Sequence, residues 1–404
     1  MANFVFVSPT FPDTYYQFPK AWKELGGTSL CIGEDPYEYL SEDLKRASDE
    51  YYQVSSLGDY DQMYRAVAWF AHKHGKIDWL ESHNEFWLEQ DAMLRTDFNI
   101  TTGDNSETVR RYKRKSGMKK YYEKAGVKTA RWAMAETLDK ALEFTAEVGY
   151  PIIVKPDTGV GANATYKINN DDELRAFFND KPAEPYIMEE FVTGEIVSFD
   201  GLCGRNGEII FRTVHVYKSQ VIDVLNHNSE DFFYSLREVP EDIDKIGRAV
   251  IEAFDLKARF FHTEYFRMTK DKKGLGKKGD LIGLEVNMRL PGGYIPDMMN
   301  FANNIDLFRM YADMCMNGSS PIITDRPYFC AFFGRRDWGA YVLDEPEIFH
   351  RYGQNIRKHG RMPGILAGMG DDYYIACFKT LEEVEKFGTD IGLKYTDTEE
   401  KKKK

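Results

Sequence analysis

Cysteine is scarce in this chain. Its five cysteines (Cys31, Cys203, Cys315, Cys330 and Cys377) are odd in number and include no CxxC pair, which excludes a disulfide framework and argues against a structural zinc site. Long apolar runs are lacking as well: no stretch approaches the roughly 18 residues of a membrane span. Residues 2–9 form only a strand-length apolar run with no basic segment before it, unlike a secretory signal. These absences lead to the expectation of a cytoplasmic chain with reduced thiols and no membrane partner. Positive charge is in deficit too. Lys and Arg total 53 against 65 Asp and Glu, a net charge of −12, and that field repels phosphate backbones and sets nucleic acid aside as a partner. The lysine run at 401–404 is too short and too end-placed to reverse it. No Walker A pattern and no internal repeat is present.

What is present is a large supply of core. At about 150 residues per domain, the 404 residues give two to three domains, and 27 Phe, 25 Tyr and 6 Trp within a 43% hydrophobic composition suffice to build them. The first hundred residues alternate strands (4–7, 28–32, 77–81) with helices (17–25, 61–74), the pattern of a doubly wound parallel sheet. Polar turn residues at 99–105 mark a boundary. A basic helical stretch, 107–127, follows and reads on its own as a solvated cationic face. The spacing then predicts strands at 129–134, 151–155, 165–168 and 186–191 with helices at 138–148 and 171–179. Next come a hairpin turning at Asn206-Gly207, a helix at 242–254, and a second hairpin with arms 262–268 and 281–287. Its Lys- and Gly-rich loop, 270–280, demands no more than a surface connector. New strands at 328–333 and 373–378 and a helix from Leu381 indicate a small carboxy-terminal α+β unit.

Three stretches carry chemistry. The segment Lys155-Pro-Asp-Thr-Gly159-Val-Gly161-Ala-Asn-Ala164 contains a formal G-x-G-x-x-A, but a dinucleotide site needs a helix straight after the glycines. Residues 165–168 alternate with period two instead, so the loop joins two strands. Such a loop is either an ordinary hairpin or a phosphate cradle with a lysine at its entry. The second stretch, Met188-Glu189-Glu190-Phe191-Val192-Thr193-Gly194-Glu195, reads either as solvated acids or as a linker that offers backbone groups to a purine edge. In the third, Leu284-Glu285-Val286-Asn287-Met288-Arg289, Glu285 and Asn287 share one strand face while their neighbours point into a core. Oxygen ligands of this kind suit Mg²⁺, and Glu264 repeats the spacing in the opposite hairpin arm.

Taken in this order with Lys115 upstream, these stretches resemble the ATP-grasp superfamily of carboxylate ligases, from about Arg110 to Asp306. The resemblance implies an ATP-grasp α/β fold over residues 109–320, with a lid at about 128–190. Before it stands a doubly wound parallel-sheet domain, 1–108, and after it a small carboxy-terminal domain, 321–404. It also implies ATP as cofactor, with two Mg²⁺ or Mn²⁺ ions. Lys115 and Lys155 match the ATP lysines, and the glycine loop with Gly159 and Gly161 matches the triphosphate loop. Glu189, Glu190, Phe191 and Val192 resemble the adenine hinge, with Glu195 on the ribose. Glu264, Glu285 and Asn287 fall where the family binds magnesium, and Arg289 where an arginine meets the transferring phosphoryl group. Met288 replaces a common proline and Arg114 a common aspartate; neither change removes a ligand.

The implied reaction converts a carboxylate to an acyl phosphate, which an amine then attacks with release of phosphate, by positioning and charge neutralisation. The substrates are a small carboxylate and an amine, an amino acid being the nearest branch, and a homodimer is compatible. The rivals are a biotin-carboxylase-like enzyme acting on bicarbonate, a nicotinamide-dependent oxidoreductase, and a non-catalytic nucleotide-binding regulator. His215, His227 and His262 lie between hinge and metal strand; a solvated or structural state is expected of each.

Overall fold

A computed structural model describes residues 2–159, 164–218, 230–320, 323 and 325–395. Gly161, His227 and the lysines at 401–404 lie outside the described residues. The chain folds as mixed α/β around three sheets.

The first sheet is parallel, in the order β3-β2-β1-β4, with β1 Asn3–Val7, β2 Thr28–Gly33, β3 Glu50–Gln53 and β4 Trp79–Glu81. Every residue of β1 is buried, as expected of a strand covered on both faces. The helix Tyr60–His74 starts where Asp59 accepts from the Asp61 and Gln62 amides, satisfying donors that a helix start leaves open. Strand β3 and the helices Glu42–Ala47 and Leu88–Asp97 were not evident in the periodicity.

The second sheet is antiparallel, β5-β8-β6-β7, from β5 Trp132–Met134, β6 Ile152–Pro156, β7 Tyr166–Ile168 and β8 Tyr186–Glu190. Strands β6 and β7 pair directly across the glycine loop, so no helix follows the glycines and the dinucleotide reading fails. Asn170 caps the next helix, Asp171–Asn179, by accepting from the Glu173 amide.

The third sheet is the body. Its order is β13-β12-β9-β10-β11-β14-β16-β15, built from β9 Gly194–Cys203, β10 Ile209–Tyr217, β11 Asp231–Ser235, β12 Phe260–Met268, β13 Leu281–Asn287, β14 Phe329–Arg335, β15 Ile356–Arg361 and β16 Asp372–Phe378. The carboxy-terminal strands are hydrogen-bonded edge to edge onto the body through the β11–β14 pair. One face of this sheet packs under Phe199, Phe261, Val286 and Phe333 and the other under Phe233, Phe260, Leu290 and Phe332. Among the described residues no helix is long and apolar enough to cross a membrane, and all five cysteines are buried free thiols.

The basic stretch departs from its expected form. It breaks into a 3-10 turn, Thr108–Tyr112, and a helix, Lys115–Lys124, with Arg114 extended between them. Asp157, just past β6, causes the break: its carboxylate accepts from the Ser116 amide at 2.8 Å and hydroxyl at 3.0 Å, and its carbonyl from the Lys115 amide at 2.8 Å. Only part of the stretch is a solvated face: Arg110, Arg114, Lys120 and Lys124 are exposed, whereas Lys115 and Lys119 are buried. Gly283 on β13 seats that helix. A Cβ there would stand 2.6 Å from the Tyr122 ring, and Tyr122 donates to the Glu285 carbonyl at 2.9 Å.

The parallel-sheet domain is joined to the body by a buried ionic network. Arg259, immediately before β12, donates to Glu81 at 2.6 Å and to the Tyr112 hydroxyl at 3.2 Å. Arg95 donates to Glu81 at 2.8 Å and to the Leu80 and Asp104 carbonyls, while Arg111 and Tyr112 close on Asp104. Burial pushes the Glu81 carboxyl up, but the guanidinium groups of Arg259 and Arg95 outweigh it and hold the group below its ordinary range.

Arg259→Met is expected to remove about 3–5 kcal/mol of unfolding free energy, since Glu81 stays buried with fewer partners. The stability contributed by the depressed carboxyl is complete above its unfolded value of about 4.3 and is lost as pH falls through the lower folded value. Acid should therefore lower the denaturant midpoint more steeply in the unsubstituted chain than in R259M. Equal midpoints at neutral pH would show the network to be dispensable.

Candidate functional site

The cavity of interest, about 250 Å³, lies where the second sheet folds over the β12–β13 edge of the body. Lys115, Lys155, Glu189, Glu190, Phe191, Val192, Glu264, Glu285, Asn287 and Arg289 all line it. Of the remaining expected residues, Gly159 reaches it indirectly, its carbonyl accepting from the Lys115 ammonium at 3.1 Å. Glu195 does not line the cavity; it forms a partly exposed pair with Lys218 at 3.3 Å.

Strand pairing explains the acidic floor. Glu264 of β12 stands opposite Glu285 of β13, and His262 stands opposite Asn287, so alternate residues present one polar face while Val286 and Tyr265 turn into the core. Two carboxylates and an amide oxygen thus sit side by side on one wall of the cavity. This hard-oxygen donor set fits a magnesium ion, although among the described residues no three His, Cys, Asp or Glu side chains are grouped as they would be around a metal ion. The Lys115 ammonium lies 3.2 Å from Glu285 Oε1 and neutralises that floor.

On the opposite wall Glu189 is clamped between lysines. Lys155 lies 2.7 Å from its Oε2, and Lys119, one helical turn beyond Lys115, pairs with Oε1. Burial raises the Glu189 carboxyl, yet the two ammonium charges prevail and bring it down to about 2. Burial lowers Lys119, reinforced by the charge of Lys155, and its pKa is depressed; burial also opposes Lys155, but Glu189 and Glu285 hold its pKa above the ordinary value.

The Glu190 carboxylate is held by groups outside the cavity lining. Its carboxylate accepts from the Arg131 amide and guanidinium at 2.8–3.1 Å and lies 3.2 Å from Lys272. Lys272 also donates to the Phe191 carbonyl at 2.8 Å. The two consecutive acids are therefore buried and ion-paired rather than solvated, and the loop 270–280 is no mere connector, since it braces the chain crossing from β8 to β9.

Arg289 lies 3.0 Å from Glu85, which is also 3.0 Å from Lys113. Glu85 comes from the loop after β4, so the parallel-sheet domain supplies one side of the site. Lys119, Glu85 and Lys272 carry no motif and were missed. The one local signal was the i, i+4 spacing of Lys115 and Lys119, which puts both on one helix face.

Comparison with known proteins bears on the fold. Residues 114–192 match the family described as carbamoyl-phosphate synthase L chain, ATP binding domain. An L-arginine-specific L-amino acid ligase of Bacillus subtilis is 26% identical over 270 residues, 65% of this chain and 63% of that protein. The matched region thus spans less than two thirds of the relative's length. Among solved structures, an L-amino acid ligase from Bacillus licheniformis superposes with a TM-score of 0.68 at 13% identity, covering 97% of each chain. The biotin carboxylase domain of Hydrogenobacter thermophilus 2-oxoglutarate carboxylase, solved with MgADP and bicarbonate, gives 0.69 at 17% identity over 96% of this chain and 88% of that one. The chain has the ATP-grasp fold. The second sheet, residues 132–190, falls within the stretch expected to form a lid, and it faces the β12–β13 edge across the cavity.

The lysine clamp makes a prediction about the ligand-free protein. Glu189→Gln leaves two buried ammonium groups without the carboxylate that both contact and is expected to cost roughly 3–5 kcal/mol. Lys119→Met or Lys155→Met should each cost less, because Glu189 keeps the other lysine. Thermal melts of the three variants give the order, and a milder loss in E189Q than in either lysine variant would remove Glu189 from the centre of the clamp.

Proposed function

We propose that this protein is an ATP-dependent, ADP-forming carboxylate–amine ligase. The observation that carries the reading is the convergence, on one cavity, of Lys115, Lys155 and Arg289 with the oxygen set Glu264, Glu285 and Asn287, beside a braced hinge. Cations are present for the phosphates, and oxygens for the metal that accompanies them. Relatives named as amino acid ligases support an amino acid as the carboxylate substrate, with a small amine as its partner.

On this reading the backbone of Glu190 and Val192 reads the base, and the apolar side chains of Ile153, Ile196 and Leu284, which line the same cavity, enclose it. Lys155 and Lys115 hold phosphate oxygens, the latter exchanging Glu285 for the nucleotide. Glu264, Glu285 and Asn287 would hold magnesium, which supplies charge neutralisation for the transferring phosphoryl group. The substrate carboxylate attacks the γ-phosphate, and Arg289 offers a planar fork to the oxygens on which charge accumulates. The lid, 128–190, keeps water from the acyl phosphate until the amine displaces phosphate from the acyl carbon. Glu195, paired with Lys218, must rotate to reach a ribose.

Product analysis tests the reaction. With ATP, magnesium and a matrix of amino acids and amines, ADP and phosphate are expected in proportion to amide formed; AMP and pyrophosphate would overturn the assignment. Phosphate release that depends on bicarbonate alone would instead support carboxylation.

Arg289→Lys tests the phosphoryl contact. Lysine preserves the pairing with Glu85, so the melting temperature should hardly move. The loss of one preorganised donor should nevertheless lower kcat by about 100-fold with a much smaller change in ATP affinity. Wild-type turnover with a lowered melting temperature would make Arg289 a structural residue only.

A further inference from the structure

A line of polar side chains runs across the strands of the body beneath the site. In register, His215 of β10 faces Ser198 of β9, Asp200 faces His262 of β12, and His262 faces Asn287 of β13. On the other face of the same strands stand Phe199, Phe261 and Val286. Asp200 and His215 are completely buried. A buried carboxylate costs folding free energy unless it is fully bonded, and apolar replacements of such groups are often no less stable. The proposed reaction gives Asp200 no task.

Its bonds point to one. Asp200 Oδ2 accepts from Ser198 Oγ at 2.5 Å and from His215 Nδ1 at 2.7 Å, while Oδ1 meets His262 Nδ1. A carboxylate only accepts, so His262 donates from both ring nitrogens, from Nδ1–H to Asp200 Oδ1 and from Nε2–H to Glu264 Oε1 at 3.1 Å, and the ring is fixed between them. Turning the ring would break both bonds. One oxygen of Glu264 is thereby tied, and the other is left for the cavity.

We propose that His262, held in orientation by Asp200, is a positioning residue for the metal floor: it fixes Glu264 Oε1 so that Oε2 alone meets a divalent cation. The inference rests on the assignment of Glu264 as a metal ligand. Groups that orient metal ligands typically alter metal affinity 10–100-fold when removed.

The test is the affinity of Mn²⁺ for the full-length protein saturated with ADP, read from the electron paramagnetic resonance of free Mn²⁺. His262→Asn keeps an amide near Asp200 but cannot reach Glu264, and should weaken Mn²⁺ by about tenfold or more. ADP affinity in EDTA should stay unchanged. His262→Gln, whose amide reaches the Nε2 position, should recover most of the loss. In turnover, H262N should raise the magnesium KM more than it lowers kcat. An unchanged Mn²⁺ affinity in folded H262N overturns the proposal. Glu264→Gln separates the two levels: if it too leaves Mn²⁺ binding unchanged, the metal-ligand assignment fails, whereas weakened binding in E264Q alone sinks only the positioning role. Should H262N not fold, ¹⁵N-histidine spectra of the unsubstituted protein decide. The His262 Nε2 signal must move when Mg²⁺ is added to the ADP complex, and a stationary signal overturns the proposal.

Discussion

The Arg259–Glu81 ion pair is the contact on which the geometry of the site depends. Glu81 ends β4, and four residues later the chain presents Glu85 to Arg289. Arg259 directly precedes β12, and three and five residues later that strand presents His262 and Glu264. One buried guanidinium thus sets the distance between two chain segments that reach the same cavity from different sheets. Its price in desolvation is high, and the network around it leaves few alternatives: Arg95, Arg111 and Tyr112 add donors to the same acids. An apolar contact of similar area would hold the domains together with less directional control.

Within the cavity every site cation faces an anion of the chain: Lys115 with Glu285, Lys155 with Glu189, Arg289 with Glu85. On the ligase reading this resting state has a purpose. A nucleotide and its metal bring both signs of charge, so Lys115 can move from Glu285 to a phosphate as Glu285 takes the cation. The exchange leaves no charge bare at any stage, which keeps the barrier to loading low in a site of reduced dielectric. Glu189 stands outside that exchange, since it retains Lys119 when Lys155 turns to a phosphate.

Elements with local signatures were legible in the sequence. Period-two alternation after the glycines foretold the β6–β7 pair, and the matched spacing of His262-Glu264 and Glu285-Asn287 foretold a shared polar face, now seen as register. Lys115 and Lys155 were legible through motif order. What escaped depends on contacts distant in the chain: Glu85 meets Arg289 across 204 positions and Asp200 meets His262 across 62. The basic stretch was misjudged for the same reason. Its composition is that of a solvated helix, and only the sheet folded over it buries Lys115 and Lys119. Lys272 was hidden by the Gly- and Lys-rich company it keeps, which describes the loop's conformational freedom and says nothing of where it lands.

The braced hinge joins the second sheet to the body. Arg131 approaches Glu190 from the second sheet, and Lys272 approaches it from the β12–β13 loop of the body. The carboxylate between them is wholly buried at its side chain, so either cation alone would leave it poorly compensated. The staple therefore binds the second sheet to the body where the chain passes from one to the other, and fixes the peptide groups of residues 190–192. On the ligase reading, a base read by those peptide groups would be bound before the second sheet closes on the phosphates. Recognition of the nucleotide and exclusion of water would then be separate steps, and an acyl phosphate would form only after both.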